Sequence, residues 1–236
     1  MLNSEHFSKQ FDAELEDIRS RVMQMGGVVE AQIMAAISGF TTGDLDVIAR
    51  VIDNDRQVDA YELQIDEACV HVVARRQPKA SDLRLIMGVG KIVTDLERIG
   101  DEAEKIARMA RQIFGRGGLH SPRYIDVQNS GNIAITMLRR VLDALARMDA
   151  IAAESIIAED LRIDAEFRGM MRQLITYMME DPRTISTALD ILWIAKAIER
   201  IGDHAKNIAE QVIYIARGTD VRHAERDSGT VAGGEA

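Results

Sequence analysis

Apolar residues recur at steps of three and four through most of the chain. After Pro78 the series Ile86, Val89, Val93, Leu96, Gly100, Ala103, Ala107 and Ala110 has the spacing of a helix that buries one face. A second series, Ala188, Ile191, Ala195, Ile198, Gly202, Ala205, Ala209 and Val212, repeats it position for position. The interruptions are few. Thr41-Thr42-Gly43-Asp44 breaks the first run and offers an N-cap, and Gln77 to Ser81 breaks the next, with Ser81 as the cap. Gly115, Gly117 and Gly118 mark a helix end. Ser121-Pro122 has the form of a cap followed by proline in the first turn, and Asp149 and Asp181-Pro182 divide the remainder. Six helices of about 26 to 36 residues follow from these breaks.

The two halves are copies. Glu97-Arg98-Ile99-Gly100-Asp101 returns as Glu199-Arg200-Ile201-Gly202-Asp203, Asp55-x-x-x-Asp59 returns as Asp160-x-x-x-Asp164, and the break at Asp44 returns at Asp149. The predicted fold is all-α: two tandem three-helix bundles over residues 1–118 and 119–217, with a polar tail at 218–236 that composition predicts to be disordered. A glycine within a helix costs about 1 kcal/mol relative to alanine. Its presence on the seam at both Gly100 and Gly202 points to close approach of a neighbouring helix.

Composition narrows the reading. Three prolines and 4% aromatic residues suit long helices better than sheet. One cysteine, Cys69, cannot make an internal disulfide, which fits a reducing compartment. The net charge of −9 opposes a nucleic-acid partner. Glu5, Lys9, Asp12 and Glu14 stand where an export signal needs an apolar core, and no uncharged stretch reaches the roughly 20 apolar residues that span a bilayer. The expectation is a cytoplasmic protein without membrane insertion.

The acids are not scattered. Glu97, Asp101 and Glu104 each follow a seam residue, so their carboxylates share one helical face. The preceding helix has a matching row, Asp55, Asp59, Glu62 and Asp66, set beside the seam of Asn54, Val58, Tyr61 and Ile65. The second repeat has Asp160 with Asp164, and Glu199 with Asp203. Like charges at this spacing destabilise a helix by a few tenths of a kcal/mol per pair, so a cation should offset them. A solvated face served by Arg56, Arg98, Arg162, Arg200 and Lys91 is one answer. The duplication of both pairs favours the other: a site for hard divalent or trivalent cations, Fe, Mn, Mg or Zn, in which a bridging carboxylate permits more than one ion.

The paired Glu-Arg-Ile-Gly-Asp motifs, the acidic rows, the duplicated three-helix plan and the segment from Asp66-Glu67-Ala68-Cys69 to Ser81-Asp82-Leu83-Arg84 resemble the PhoU family. The resemblance extends from His6-Phe7 to about Gly218. It implies a cytoplasmic, dimeric, non-enzymatic adaptor that restrains phosphate-starvation signalling and modulates phosphate uptake. Its implied partners are the ATP-binding subunit of the phosphate ABC transporter and the phosphate sensor histidine kinase. It also implies metal ligation at Asp55, Asp59, Glu97, Asp101, Asp160, Asp164, Glu199 and Asp203. The repeats differ beside the motif, Glu102 against His204 and Asp95 against Ala197, which bears on whether both sites hold the same metal.

The remaining candidates read as structural. His204 is expected at the surface, with a nitrogen ligand as the alternative; Cys69 and Trp193 are expected in the core, although a half-exposed tryptophan can anchor an interface. Arg75, Arg76, Lys79 and Arg84 suit either an acidic partner or a helix C-terminus. The competing class is a carboxylate-bridged metalloenzyme, a di-iron oxidase or phosphohydrolase. The acidic helices lack the Glu-x-x-His pairs of the oxidase design, and no nucleophile elbow or phosphate-cradling glycine loop is evident. A purely structural bundle is the third class.

Overall fold

The computed structural model describes residues 2–76, 78–117 and 125–221. Within them the chain forms α1 (Leu2–Thr42), α2 (Leu45–Arg76), α3 (Ala80–Gly115), α4 (Ile125–Arg147), α5 (Ala150–Ile157), α6 (Asp160–Glu180) and α7 (Ile185–Arg217). A single 3₁₀ turn, Pro182–Thr184, precedes α7, and the described residues contain no strand. Ser121-Pro122 and most of the tail, 222–236, fall outside the described residues.

Local chemistry explains most of the ends. Gly43 takes φ +73°, a left-handed conformation natural to glycine, and its N–H donates to the Gly39 carbonyl at 2.9 Å, closing α1. Asp44 then accepts from the N–H groups of Asp46 and Val47, both at 3.0 Å. Asp149 repeats that cap for α5 with Ile151 and Ala152. The residue duplicating Gly43 is Met148, which holds φ +51°. Two expectations need correction. Lys79, with extended backbone and no side-chain cap, sits at the N-cap position of α3, so Ser81 lies inside the first turn. The fifth predicted helix is broken into α5 and α6 at Ala158-Glu159, where Arg140 reaches across the break to donate to Glu159 and Ser155.

The two repeats share one continuous core. Helices α3 and α7, which carry the duplicated motif, pack antiparallel: Gly88 lies against Ile215, Arg200 donates to Glu102 at 2.9 Å, and Arg116 donates to Asp190 at 2.8 Å. Helices α1 and α4 do the same. Gly26 packs against Leu142 and its counterpart Gly131 against Ile37, the same contact made twice about a pseudo-two-fold axis. Every residue of the two predicted seams on α3 and α7 is buried. On α2 the seam runs Val51, Val58, Ile65 and Val72, with Asn54 exposed rather than inward. Each fully buried Ile, Val, Leu or Phe contributes about 1.5–3 kcal/mol. Cys69 is buried as expected, and burial pushes its thiol up to about 11. Trp193 is not in the core: it is 52% exposed, with the Lys105 ammonium 5.6 Å from its ring.

Candidate metal centres

The seam glycines set the distance between the acidic rows. A Cβ at Gly202 would lie 2.7 Å from Ile163 Cδ1, and one at Gly100 would lie 3.3 Å from Val58 Cγ1 and 3.5 Å from Asp55 Oδ1. The helix bearing Glu97 and Asp101 therefore packs closely on the helix bearing Asp55 and Asp59, and the same holds for their duplicates. Close packing turns two surface rows into one facing group of carboxylates.

In the second repeat Asp164, Glu199 and Asp203 each bring a carboxylate oxygen within 4.8 Å of the others, and among the described residues no other trio of potential ligands is so tight. Burial first, then Glu199 and Asp160, push the Asp203 carboxyl up to about 6, against a lowering pull from Lys196. Asp160 is buried at the edge of this group and bound to the Lys206 ammonium at 3.0 Å. Glu199 is paired with Lys196, and Asp164 has Arg168 at 3.9 Å.

In the first repeat the acids spread wider and still act on one another. Burial and then Asp101 and Glu62 push Glu97 up to about 6. Asp55, Glu62 and Asp101 are raised as well, each first by burial and then by neighbouring carboxylates: Glu104 and Asp59 on Asp55, Asp66 and Asp59 on Glu62, Asp55 and Asp59 on Asp101. Asp59 and Asp101 stand at the exposed rim, while Asp55 is held from below by Gln32, whose Nε2 donates to Asp55 Oδ1 at 2.9 Å. Gln32 is only 5% exposed, and its amide oxygen has no hydrogen-bond partner.

The donor set fits a hard cation. It consists of carboxylate oxygens with one buried amide, the carboxyls are raised by burial first and then by one another, and the unpaired Gln32 oxygen is an acceptor at the floor of the first site. His204 is not among the candidate ligands. Its Nδ1 lies 2.8 Å from Asp95 Oδ1 on α3, so the expected surface histidine is half-buried in the seam between repeats. Of the basic cluster, Arg76 holds Glu14 at 2.7 Å and Arg84 packs on Gly218 at the end of α7.

Sequence reasoning passed over Gln32, Lys196 and Lys206. Gln32 had a signal, as a polar residue in step with the apolar positions Met25, Val29 and Ala36 of α1. Lys206 stands where Glu104 stands in the first repeat, legible by aligning the two copies beyond the motif.

A continuous helical core built from two copies, each with facing acid pairs on two helices, defines a class of duplicated, carboxylate-bearing bundle proteins. The chain belongs to the PhoU family: the model of the PhoU domain matches residues 22–110 and again 127–212. It is 51% identical over 219 residues to the phosphate-specific transport system accessory protein PhoU homolog of Pseudomonas aeruginosa, covering 92% of this chain and 90% of that one. It is 49% identical to the corresponding accessory protein of Escherichia coli K12, covering 95% and 92%. The crystal structure of PhoU from Pseudomonas aeruginosa superposes with a TM-score of 0.85 at 50% identity, over 89% of this chain and all of that one. The phosphate transport system regulatory protein PhoU of Streptococcus pneumoniae superposes with a TM-score of 0.82 at 26% identity, over 89% and 99%. The family is one of accessory proteins of phosphate transport, not of enzymes. Among the described residues no helix is long and apolar enough to cross a membrane.

Proposed function

We propose that this protein is a cytoplasmic, homodimeric accessory regulator of phosphate uptake that restrains the phosphate-starvation response when phosphate is plentiful. It acts through protein contacts, with the ATP-binding subunit of the phosphate ABC transporter and with the sensor histidine kinase. The observation that carries this reading is the near-complete alignment, at about half identity, with proteins named as accessory to phosphate-specific transport. Cations bound at Asp55, Asp59, Glu97 and Asp101, and at Asp160, Asp164, Glu199 and Asp203, neutralise the acidic rows and set the bundle surfaces that the partners meet. The convergence of Asp164, Glu199 and Asp203 and the raised carboxyls support that part.

Surface-immobilised transporter ATPase and the cytoplasmic part of the kinase, each titrated with the purified protein, test the adaptor role. Saturable binding to both is expected, together with phosphate-responsive transcription that stays on at high phosphate when the protein is deleted. Unaltered transcription in the deletion strain overturns the regulatory reading. Elemental analysis tests the cations: bound metal is expected in the purified protein and reduced in Glu199→Ala/Asp203→Ala, and metal unchanged by that substitution overturns the ligand assignment.

A further inference from the structure

The repeats are alike in backbone and unlike in charge around their acids. Aligned from the Glu-Arg-Ile-Gly-Asp motif, Glu104 of the first repeat corresponds to Lys206 of the second, and Thr94 to Lys196. Both lysines are engaged. Lys206 bonds Asp160 at 3.0 Å; Lys196 pairs with Glu199 and lies 5.3 Å from the ring of Phe167. Phe167 in turn corresponds to Glu62. At each of these positions the second site carries a more positive or less negative side chain than the first. In the first site Glu104 is paired with Arg108 on its own helix and still adds to the repulsion on Asp55, so that site keeps more acids than resident cations.

The floor of the first site differs as well. Counting from the duplicated breaks at Asp44 and Asp149, Gln32 corresponds to Met137, which is fully buried. Gln32 holds Asp55 and leaves its own oxygen without a donor, 3.5 Å from where a Cβ on Gly100 would stand. An unpaired buried amide oxygen costs about 1–3 kcal/mol unless something electropositive meets it. A cation, or water held by one, is such a partner, and this observation does not depend on the carboxylate count.

From these differences, and resting on the cation-binding reading above, we propose that the two acidic sites are unequal. The first repeat holds the tighter, higher-capacity site for an oxygen-preferring multivalent cation, with Gln32 positioning Asp55. The second repeat is partly neutralised by its own Lys206 and Lys196, so an incoming ion must displace a resident ammonium before it gains Asp160 or Glu199. Cation loading is therefore ordered, first repeat before second, and it is Lys206 and Glu104 that set the order.

The test titrates chelator-treated, full-length protein with Mn²⁺, reading free Mn²⁺ by electron paramagnetic resonance and bound equivalents by elemental analysis. Two classes of site are expected, with Asp55→Asn/Asp101→Asn removing the tighter and Asp160→Asn/Asp203→Asn the weaker. Lys206→Glu should tighten the weaker class, and Glu104→Lys weaken the tighter one, each by about tenfold or more, the effect of one or two partly screened charges. Lys206→Gln, which removes the ammonium alone, should move the weaker class in the same direction and serves if Lys206→Glu does not fold. Gln32→Met, which copies the second repeat, should weaken only the tighter class while helical content by circular dichroism is kept. No Mn²⁺ binding by the unsubstituted protein overturns the cation reading itself. Binding that is equal at the two sites, or indifferent to charge at Lys206 and Glu104, overturns the inequality and leaves cation binding standing.

Discussion

His204 on α7 and Asp95 on α3 meet at 2.8 Å across the seam between the repeats, although the positions that duplicate them, Glu102 and Ala197, make no such pair. Glu102 turns to Arg200 and Lys105 instead. The antiparallel seam is thus built from a symmetric apolar layer and an asymmetric polar one. The apolar layer supplies most of the burial. The polar pairs hold the register, because sliding α7 along α3 by one turn would take both donors from Asp95 and leave Glu102 only Lys105 of its own helix.

Asp95 accepts from both His204 and Asn207, and its side chain is only 16% exposed. Asp95→Ala should destabilise the protein by about 1–3 kcal/mol, the cost of leaving the half-buried His204 without its partner. A double-mutant cycle with His204→Ala should give a coupling of about 0.5 kcal/mol or more by urea denaturation. Additive effects would mean that the contact contributes nothing to register.

Gly131 tests the close approach of α1 and α4. A Cβ there would overlap Ile37 Cδ1 and come within 3.1 Å of Ile37 Cγ1, so the whole side chain must move, and β-branching in a helix leaves it little choice of rotamer. The overlap costs about 1–3 kcal/mol against roughly 1 kcal/mol that alanine returns in helix propensity, so Gly131→Ala should lower stability by up to about 2 kcal/mol. Adding Ile37→Val, which deletes the overlapping methyl, should recover part of the loss in melting temperature. A single Gly131→Ala variant that melts higher than the unsubstituted protein would refute the packing argument.

The acidic sites predict a pH dependence for the cation-free protein. Glu97 and Asp203 titrate near 6 in the fold, above their ordinary values of 4.5 and 3.8. A raised carboxyl adds stability that is fully present below the unfolded value and is lost as pH rises through the folded one, here between about 4 and about 6. In chelator, Glu97→Gln/Asp203→Asn should melt close to the unsubstituted protein near pH 4 and above it near pH 7. Cation added near pH 7 should raise the melting temperature of the unsubstituted protein alone. A melting difference between the two that does not change with pH would contradict the burial and repulsion assigned to these groups.

Trp193, the single tryptophan, reports its own placement. At 52% exposure its emission should be that of a water-exposed indole and open to iodide quenching in the folded protein. Trp193→Ala should change stability by less than about 1 kcal/mol, as for other surface positions. A blue-shifted, unquenched emission would mean that another surface covers it in solution.

Much of this protein was settled by local order in the chain. The three-and-four spacing put every seam residue of α3 and α7 inside, the breaks at Asp44 and Asp149 fell where helices begin, and duplication exposed the acid pairs and the close-packed glycines Gly100 and Gly202. These features depend on side chains within one or two turns of each other, which spacing encodes directly. Residues whose environment is made by another helix were decided elsewhere. Trp193 reads as core by type, yet the α7 face that bears it is left partly open to water beside Lys105. Gln32 and Lys206 acquire their roles from Asp55 and Asp160, which tertiary packing brings from distant parts of the chain. The sequence by itself determined the helices, the duplication and the acid rows, because each is periodic along a single segment. Only the tertiary structure decided that the two copies pack antiparallel into one core and that their charges are balanced differently, because those outcomes depend on which helix faces which.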